Sequence, residues 1–197
     1  MEKFYKIIKK SMKILILASQ SKRRVEILKM LGFKFLVIPA RVEEGVKVSS
    51  PALTARKLAF KKSFTVWKEY KYATVIGADT IVVSDSQVFG KPKNKEDARR
   101  MLLSLSGKWH KVITAVSIIS PKERIIFHDS SLVKFRRITE DEIEEYINMG
   151  EPMDKAGAYA VQGFGATFIE KIVGDFYTVM GIPVSKTYRV LRHILRR

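Results

Sequence analysis

A chain of 197 residues, 46% hydrophobic and 29% charged, has the composition of an ordinary globule with a sizeable core, enough for one domain or one domain of two lobes. It contains no cysteine, which excludes disulfides and thiolate metal sites, and no apolar run near the roughly 18 to 20 residues that span a bilayer. The formal net charge of +17 leaves three readings: nucleic-acid binding, binding of small polyanions such as nucleotides, or a solvated basic surface.

The basic residues are spread along the chain and densest at its two ends, with no arginine-rich tract. No RNP, KH or zinc-finger signature is present, so a nucleic-acid partner is not expected. His110, His128 and His193 are far apart and lack metal-ligand spacing. Residues 1–12 read as a basic extension. It lacks a long apolar segment and a cleavage site, so no signal peptide is expected and the location is read as cytoplasmic. Residues 13–197 read as a single domain.

The run Met12–Ala18 is short and apolar, the pattern of a buried strand. Ser19-Gln20-Ser21-Lys22-Arg23-Arg24 follows and opens a helix, with Gly32 placed to stop it. Arginines in a first turn oppose the helix dipole. Two readings stand: an anion held at that N-terminus by Arg23, Arg24 and the Ser19 and Ser21 hydroxyls, or a plain serine cap with solvated arginines. Phe35–Pro39 reads as a second strand. Glu43-Glu44-Gly45 is either a solvated turn or a pair of Mg²⁺ ligands. Ser50 and Pro51 open a long helix to about Tyr70, with Lys62 near its middle.

Thr74–Val83 is the stretch around which the rest is organised. An apolar run enters Gly77, delivers a carboxylate at Asp79 and a hydroxyl at Thr80, and resumes as Ile81-Val82-Val83. An unpaired buried charge costs several kcal/mol, so such an aspartate either caps a turn or works in a cleft. Val82–Phe89 reads as a hairpin, then Gly90-Lys91-Pro92. A helix capped by Asn94 runs from Lys95 to Leu105, and His110–Ile119 reads as a strand. Arg124–Asp129 and Ser131–Phe135 read as two further antiparallel strands. Thr139 and Glu142 form a capping box before a helix to Met149. A glycine-rich tract holding Asp154-Lys155 and Gln162-Gly163 reads as strands and turns passing close to something. Its Tyr159 reads as core, and Lys155 as either a phosphate contact or an ion pair with Asp154. The terminal helix begins at about Val184. There is no Walker A motif.

Cations, hydroxyls and a carboxylate together are the kit for metal-assisted attack on a phosphate ester. At this point the sequence resembles the Maf family of nucleotide pyrophosphatases. The resemblance rests on Leu17–Arg24, Gly77-Ala78-Asp79-Thr80, Gly90-Lys91-Pro92, Leu105-Ser106-Gly107, His110–Thr114, Asp154–Tyr159 and Gln162-Gly163, in that order and spacing. The family usually has proline where this chain has Lys22.

The resemblance implies an α/β, ITPase-like fold: a mixed, twisted sheet flanked by helices, with a deep cleft between two lobes. It implies hydrolysis of nucleoside triphosphates to monophosphate and pyrophosphate, with Asp79 as general base. The family's specificity positions fall on Arg23, Thr80 and Gln162, a set similar to the branch acting on dTTP and UTP. A divalent cation, Mg²⁺ or Mn²⁺, is expected on Asp79 with Glu43 or Glu44. Ser19, Ser21, Lys62, Lys91 and Lys155 are expected on the phosphates. A homodimer is usual in the family. Two other classes stay open from the sequence: a basic nucleic-acid-binding protein, and a nucleotide-binding regulator linked to septum formation.

Overall fold

A computed structural model describes residues 14–42 and 50–196. The basic extension and the acid pair Glu43 and Glu44 lie outside those residues. The elements in chain order are β1 (Leu15–Leu17), α1 (Lys22–Met30), β2 (Leu36–Val37), α2 (Pro51–Trp67), β3 (Thr74–Ser84), β4 (Gln87–Phe89), α3 (Lys95–Leu105), β5 (Trp109–Ile119), β6 (Arg124–Phe135), α4 (Glu140–Asn148), β7 (Ile169–Val173), α5 (Phe176–Met180) and α6 (Val184–Arg196).

Local chemistry explains most boundaries. α1 ends in a Schellman motif: the Gly32 N–H donates to the Lys29 carbonyl and the Phe33 N–H to the Leu28 carbonyl. Gly32 takes φ +76°, which costs glycine little. Asn94 Oδ1 accepts from the Asp97 N–H at the start of α3. Both halves of the Thr139–Glu142 capping box are present on α4. α2 begins with Pro51 at its first turn as expected, but the Ser50 side chain makes no cap bond and the helix stops at Trp67.

The fold is α/β with a mixed seven-stranded sheet, order β2-β1-β3-β5-β6-β7, with β4 also on β3. β1 lies parallel to β2 and β3, while β3, β5, β6 and β7 are antiparallel. The two expected strands after residue 124 are one continuous β6. Its polar centre is absorbed rather than broken. Asp129 pairs with Lys186 at 2.8 Å and Ser131 Oγ donates to the Asp175 carbonyl at 2.9 Å. The glycine-rich tract also departs from expectation. Between residues 151 and 168 it forms three short 3₁₀ turns, not strands.

One feature of β3 positions everything else. β5 pairs with it from Val75 to Val83 along one edge. On the other edge β1 pairs only with Thr74–Ile76 and β4 only with Val82–Ser84. Among the described residues no strand pairs with that edge between them, from Gly77 to Ile81. The apolar interior is gathered in several clusters along this strand. Ile76 and Ala78 pack with Leu15, Leu17, Leu28, Ile118, Ile182 and Leu191 in one. Val82 packs with Leu102, Phe135, Tyr146, Tyr159 and Phe168 in another.

Candidate active site

Alternation along β3 sends neighbouring side chains to opposite faces of the sheet. Val75, Gly77, Asp79 and Ile81 share the face covered by α2. Ile76, Ala78, Thr80 and Val82 share the other. The open edge therefore offers both Asp79 and Thr80 to one cleft, of about 930 Å³, at the gap.

On the first face α2 crosses the strand closely. A β-carbon at Gly77 would lie 2.6 Å from both the Ala59 carbonyl oxygen and the Ser63 N–H nitrogen. Only glycine admits that approach. The helix next places Lys62, with Nζ 2.7 Å from Asp79 Oδ1. Both side chains are about nine-tenths buried. The carboxylate in this β-branched strand is thus neither a turn cap nor an isolated core charge. It is half of an ion pair that opens onto the cleft.

On the second face Arg24 reaches over from α1. Its Nε donates to the Gly181 carbonyl at 3.1 Å, one terminal nitrogen to Ser19 Oγ at 3.3 Å and the other to Thr80 Oγ1 at 3.0 Å. The Ser21 N–H donates to Ser19 Oγ at 3.2 Å, which shapes the turn before the helix. No serine side chain caps α1 in the ordinary way.

Ser19, Ser21, Arg23, Lys62, Asp79, Thr80 and Lys91 all line the cleft. Arg23, half-buried, faces the glycine-rich wall. Burial lowers its guanidinium below the ordinary value, opposed by the charges of Asp154 and Glu151. Lys155 is placed differently: Nζ donates to Asp154 Oδ1 at 2.5 Å and to the Glu151 carbonyl at 2.6 Å, and it is absent from the cleft wall. Gln162 is also absent from that wall, and its Oε1 is buried with no hydrogen-bond partner. Tyr159 is both core and cleft. It is 4% exposed and packs edge-on against His110 and Phe135, yet it borders the opening.

Several residues carry the architecture without standing out in the sequence reading. Arg24 is one, since two adjacent arginines look alike until the helix turns one of them to Thr80. Glu151 is another. Its carboxylate accepts from Tyr146 Oη at 2.9 Å, the Phe164 N–H at 3.1 Å and the Gly165 N–H at 3.3 Å, and so fixes the turns that carry Gln162. His110 is a third. Its Nε2 lies 2.8 Å from Tyr159 Oη, and burial lowers its pKa to about 4, so the ring is neutral at pH 7.

Among the described residues no group of three or more His, Cys, Asp or Glu side chains is placed to hold a metal ion. Asp79 stands as a carboxylate on the cleft wall, and Asp154 borders it. That set suits Mg²⁺, which commonly takes one or two carboxylates and completes its shell with water and substrate phosphates. No helix of the described residues is long and apolar enough to cross a membrane.

Relatives place this architecture. The chain is similar to a dTTP/UTP pyrophosphatase of Aquifex aeolicus, 55% identical over 179 residues, covering 91% of this chain and 94% of that one. It is 46% identical over 177 residues to a dTTP/UTP pyrophosphatase of Thermosipho africanus, covering 90% and 91%. In fold it is similar to the Ham1 protein of Staphylococcus aureus, with a TM-score of 0.50, 17% identity and 80% of each chain covered. A sequence model of the Maf-like proteins matches residues 14–194, and with relatives this similar over nearly their whole length, the chain belongs to the Maf family.

Proposed function

We propose that the chain hydrolyses nucleoside triphosphates, dTTP and UTP foremost, to the monophosphate and pyrophosphate. The observation that carries this reading is the buried Asp79–Lys62 pair at the open edge of β3, inside a cleft lined by Arg23, Arg24, Arg41 and Lys91. An anionic ligand with several phosphates suits such walls. The names borne by the 55% and 46% identical relatives support the choice of dTTP and UTP.

In this reading Asp79 accepts a hydrogen bond from the attacking water and takes its proton as the water adds to the α-phosphorus. Lys62 holds the Asp79 carboxylate in place and balances its charge. Lys91 and Arg23 face the triphosphate and the departing pyrophosphate, where donors fixed before reaction favour the spread of charge in the transition state. Ser19 and Ser21, at the turn before α1, stand ready for phosphate oxygens. Glu43 and Glu44 join Asp79 as proposed cation ligands. A divalent ion bound there would supply charge neutralisation on the phosphates. Gln162 is proposed to read the pyrimidine edge, since one amide offers both a donor and an acceptor. Lys155 is proposed to act on phosphate only if it leaves Asp154. A homodimer in the cytoplasm remains the expected state of the working enzyme, and light scattering on the purified chain tests the dimer.

Pyrophosphate release across a panel of nucleoside triphosphates, with Mg²⁺ and with a chelator, tests the proposal. It predicts metal-dependent release, greatest for dTTP and UTP. Tight nucleotide binding without turnover would favour the regulatory reading instead. Micromolar nucleic-acid binding at physiological salt without hydrolysis would favour the nucleic-acid reading.

A further inference from the structure

The second face of β3 carries a chain of hydroxyls whose polarity is forced. Arg24 donates to Thr80 Oγ1 at 3.0 Å; Thr80 Oγ1 lies 2.9 Å from Thr114 Oγ1; Thr114 Oγ1 lies 2.7 Å from the Thr178 carbonyl oxygen. A guanidinium only donates and a carbonyl only accepts. Thr114 has one hydroxyl proton, and the carbonyl takes it. Between the two threonines, the proton therefore belongs to Thr80. Thr80 thus spends its single proton on Thr114 and one lone pair on Arg24.

The far end of the chain is anchored. Asp175 caps α5, accepting from the Thr178 N–H at 2.8 Å and the Thr178 hydroxyl at 2.7 Å. The Thr178 carbonyl cannot easily turn away from Thr114, which is fully buried. What Thr80 shows to the cleft is one remaining lone pair: an acceptor, not a donor.

We infer that Thr114 is a specificity-determining positioning residue, which fixes Thr80 as an acceptor for a ligand N–H and so favours bases that carry a ring imide. The inference rests on the proposed function and deepens it. Ionised phosphate oxygens are acceptors and gain nothing from the Thr80 hydroxyl itself. Uracil and thymine present an N3–H. Cytosine has an unprotonated N3 at the same position and meets the Thr80 lone pair with its own. Replacing Thr114 by valine keeps the shape but removes the acceptor. The Thr80 proton is then released, and Thr80 can donate as well as accept.

The test compares kcat/KM for UTP, CTP and N3-methyl-UTP in the wild-type chain, Thr114→Val and Thr114→Ser. The wild type should favour UTP over both analogues. Thr114→Val should shrink the UTP-to-CTP preference about tenfold, the scale of one hydrogen bond, whereas Thr114→Ser should stay within about twofold of the wild type. An unchanged preference in folded Thr114→Val, or equal loss on UTP and CTP, overturns the inference. Should Thr114→Val not fold, N3-methyl-UTP still decides: cleavage by the wild type as fast as UTP overturns the inference, a loss of tenfold or more that Thr80→Val abolishes upholds it, and a loss that Thr80→Val leaves in place assigns the N3–H to Gln162 and overturns it. Absence of any nucleotide hydrolysis by the wild type would instead overturn the proposed function, and this inference with it.

Discussion

Asp79 and Thr80 are adjacent on one strand, open onto one cleft, and sit in opposite kinds of surroundings. Asp79 faces a helix pressed so closely on the strand that Gly77 has no room for a β-carbon, and it meets a full charge, Lys62. Thr80 faces a relay of neutral hydroxyls and carbonyls pinned at its ends by Arg24 and Asp175. The two sides should fail differently. Removing one member of a buried ion pair leaves an uncompensated charge, so the first face breaks abruptly. Removing one member of a neutral relay shifts donors and acceptors by a bond, so the second face should change selectivity by degrees.

The comparison predicts a descending series of effects. Asp79→Asn should lower kcat for dTTP by about 10²-fold or more while circular dichroism shows the fold retained; steady-state rates of pyrophosphate release measure it. Gly77→Ala puts a methyl 2.6 Å from the Ala59 carbonyl and Ser63 nitrogen. It should lift α2, draw Lys62 off Asp79, cost about 3 kcal/mol in denaturant unfolding and cut kcat roughly tenfold or more.

The third effect lies behind the cleft wall, at His110. Its pKa falls from 6.5 to about 4 on folding, through burial. Below pH 6.5 the unfolded chain takes up a proton that the folded chain refuses. Stability therefore falls as pH drops through this window. About 2–3 kcal/mol should be lost between pH 7 and pH 4.5, and His110→Gln should remove that part of the slope. Urea melts at the two pH values give the comparison. Arg24→Lys keeps the charge but cannot hold Gly181, Ser19 and Thr80 together. It should lower kcat/KM for UTP by about tenfold, chiefly through KM. Thr139→Ala is far from both faces. It should cost about 1 kcal/mol by loss of the capping box and leave kcat/KM unchanged, which separates global stability from the two faces.

What the sequence made legible was local chemistry. The Thr139 and Asn94 caps, the Gly32 stop, and Pro51 at a helix start need only neighbours a few residues away, and all appear. The Gly77–Thr80 stretch was legible as one in need of a partner, because an aspartate between β-branched runs is costly alone, though the sequence did not say that Lys62, seventeen residues earlier, would be it. The rest depends on distant elements. β6 looked like two strands because Asp129, Ser130 and Ser131 interrupt its apolar pattern, and their partners Lys186 and Asp175 lie more than forty residues away. The choice between Arg23 and Arg24 depends on how α1 turns against Gly181, 157 residues on. The glycine-rich tract gave no periodicity from which to predict 3₁₀ turns. Its form follows from one carboxylate, Glu151, which gathers three donors from two separate points of the chain, Tyr146 and the adjacent Phe164 and Gly165.

The role given to the Asp79–Lys62 pair is tested by isotopic labelling of the water. Hydrolysis of dTTP in water enriched in ¹⁸O labels whichever phosphorus the water attacks. If the Asp79–Lys62 pair directs water at the α-phosphorus, the label appears in dTMP and none in pyrophosphate. Label in pyrophosphate, or orthophosphate as the first product, would contradict it.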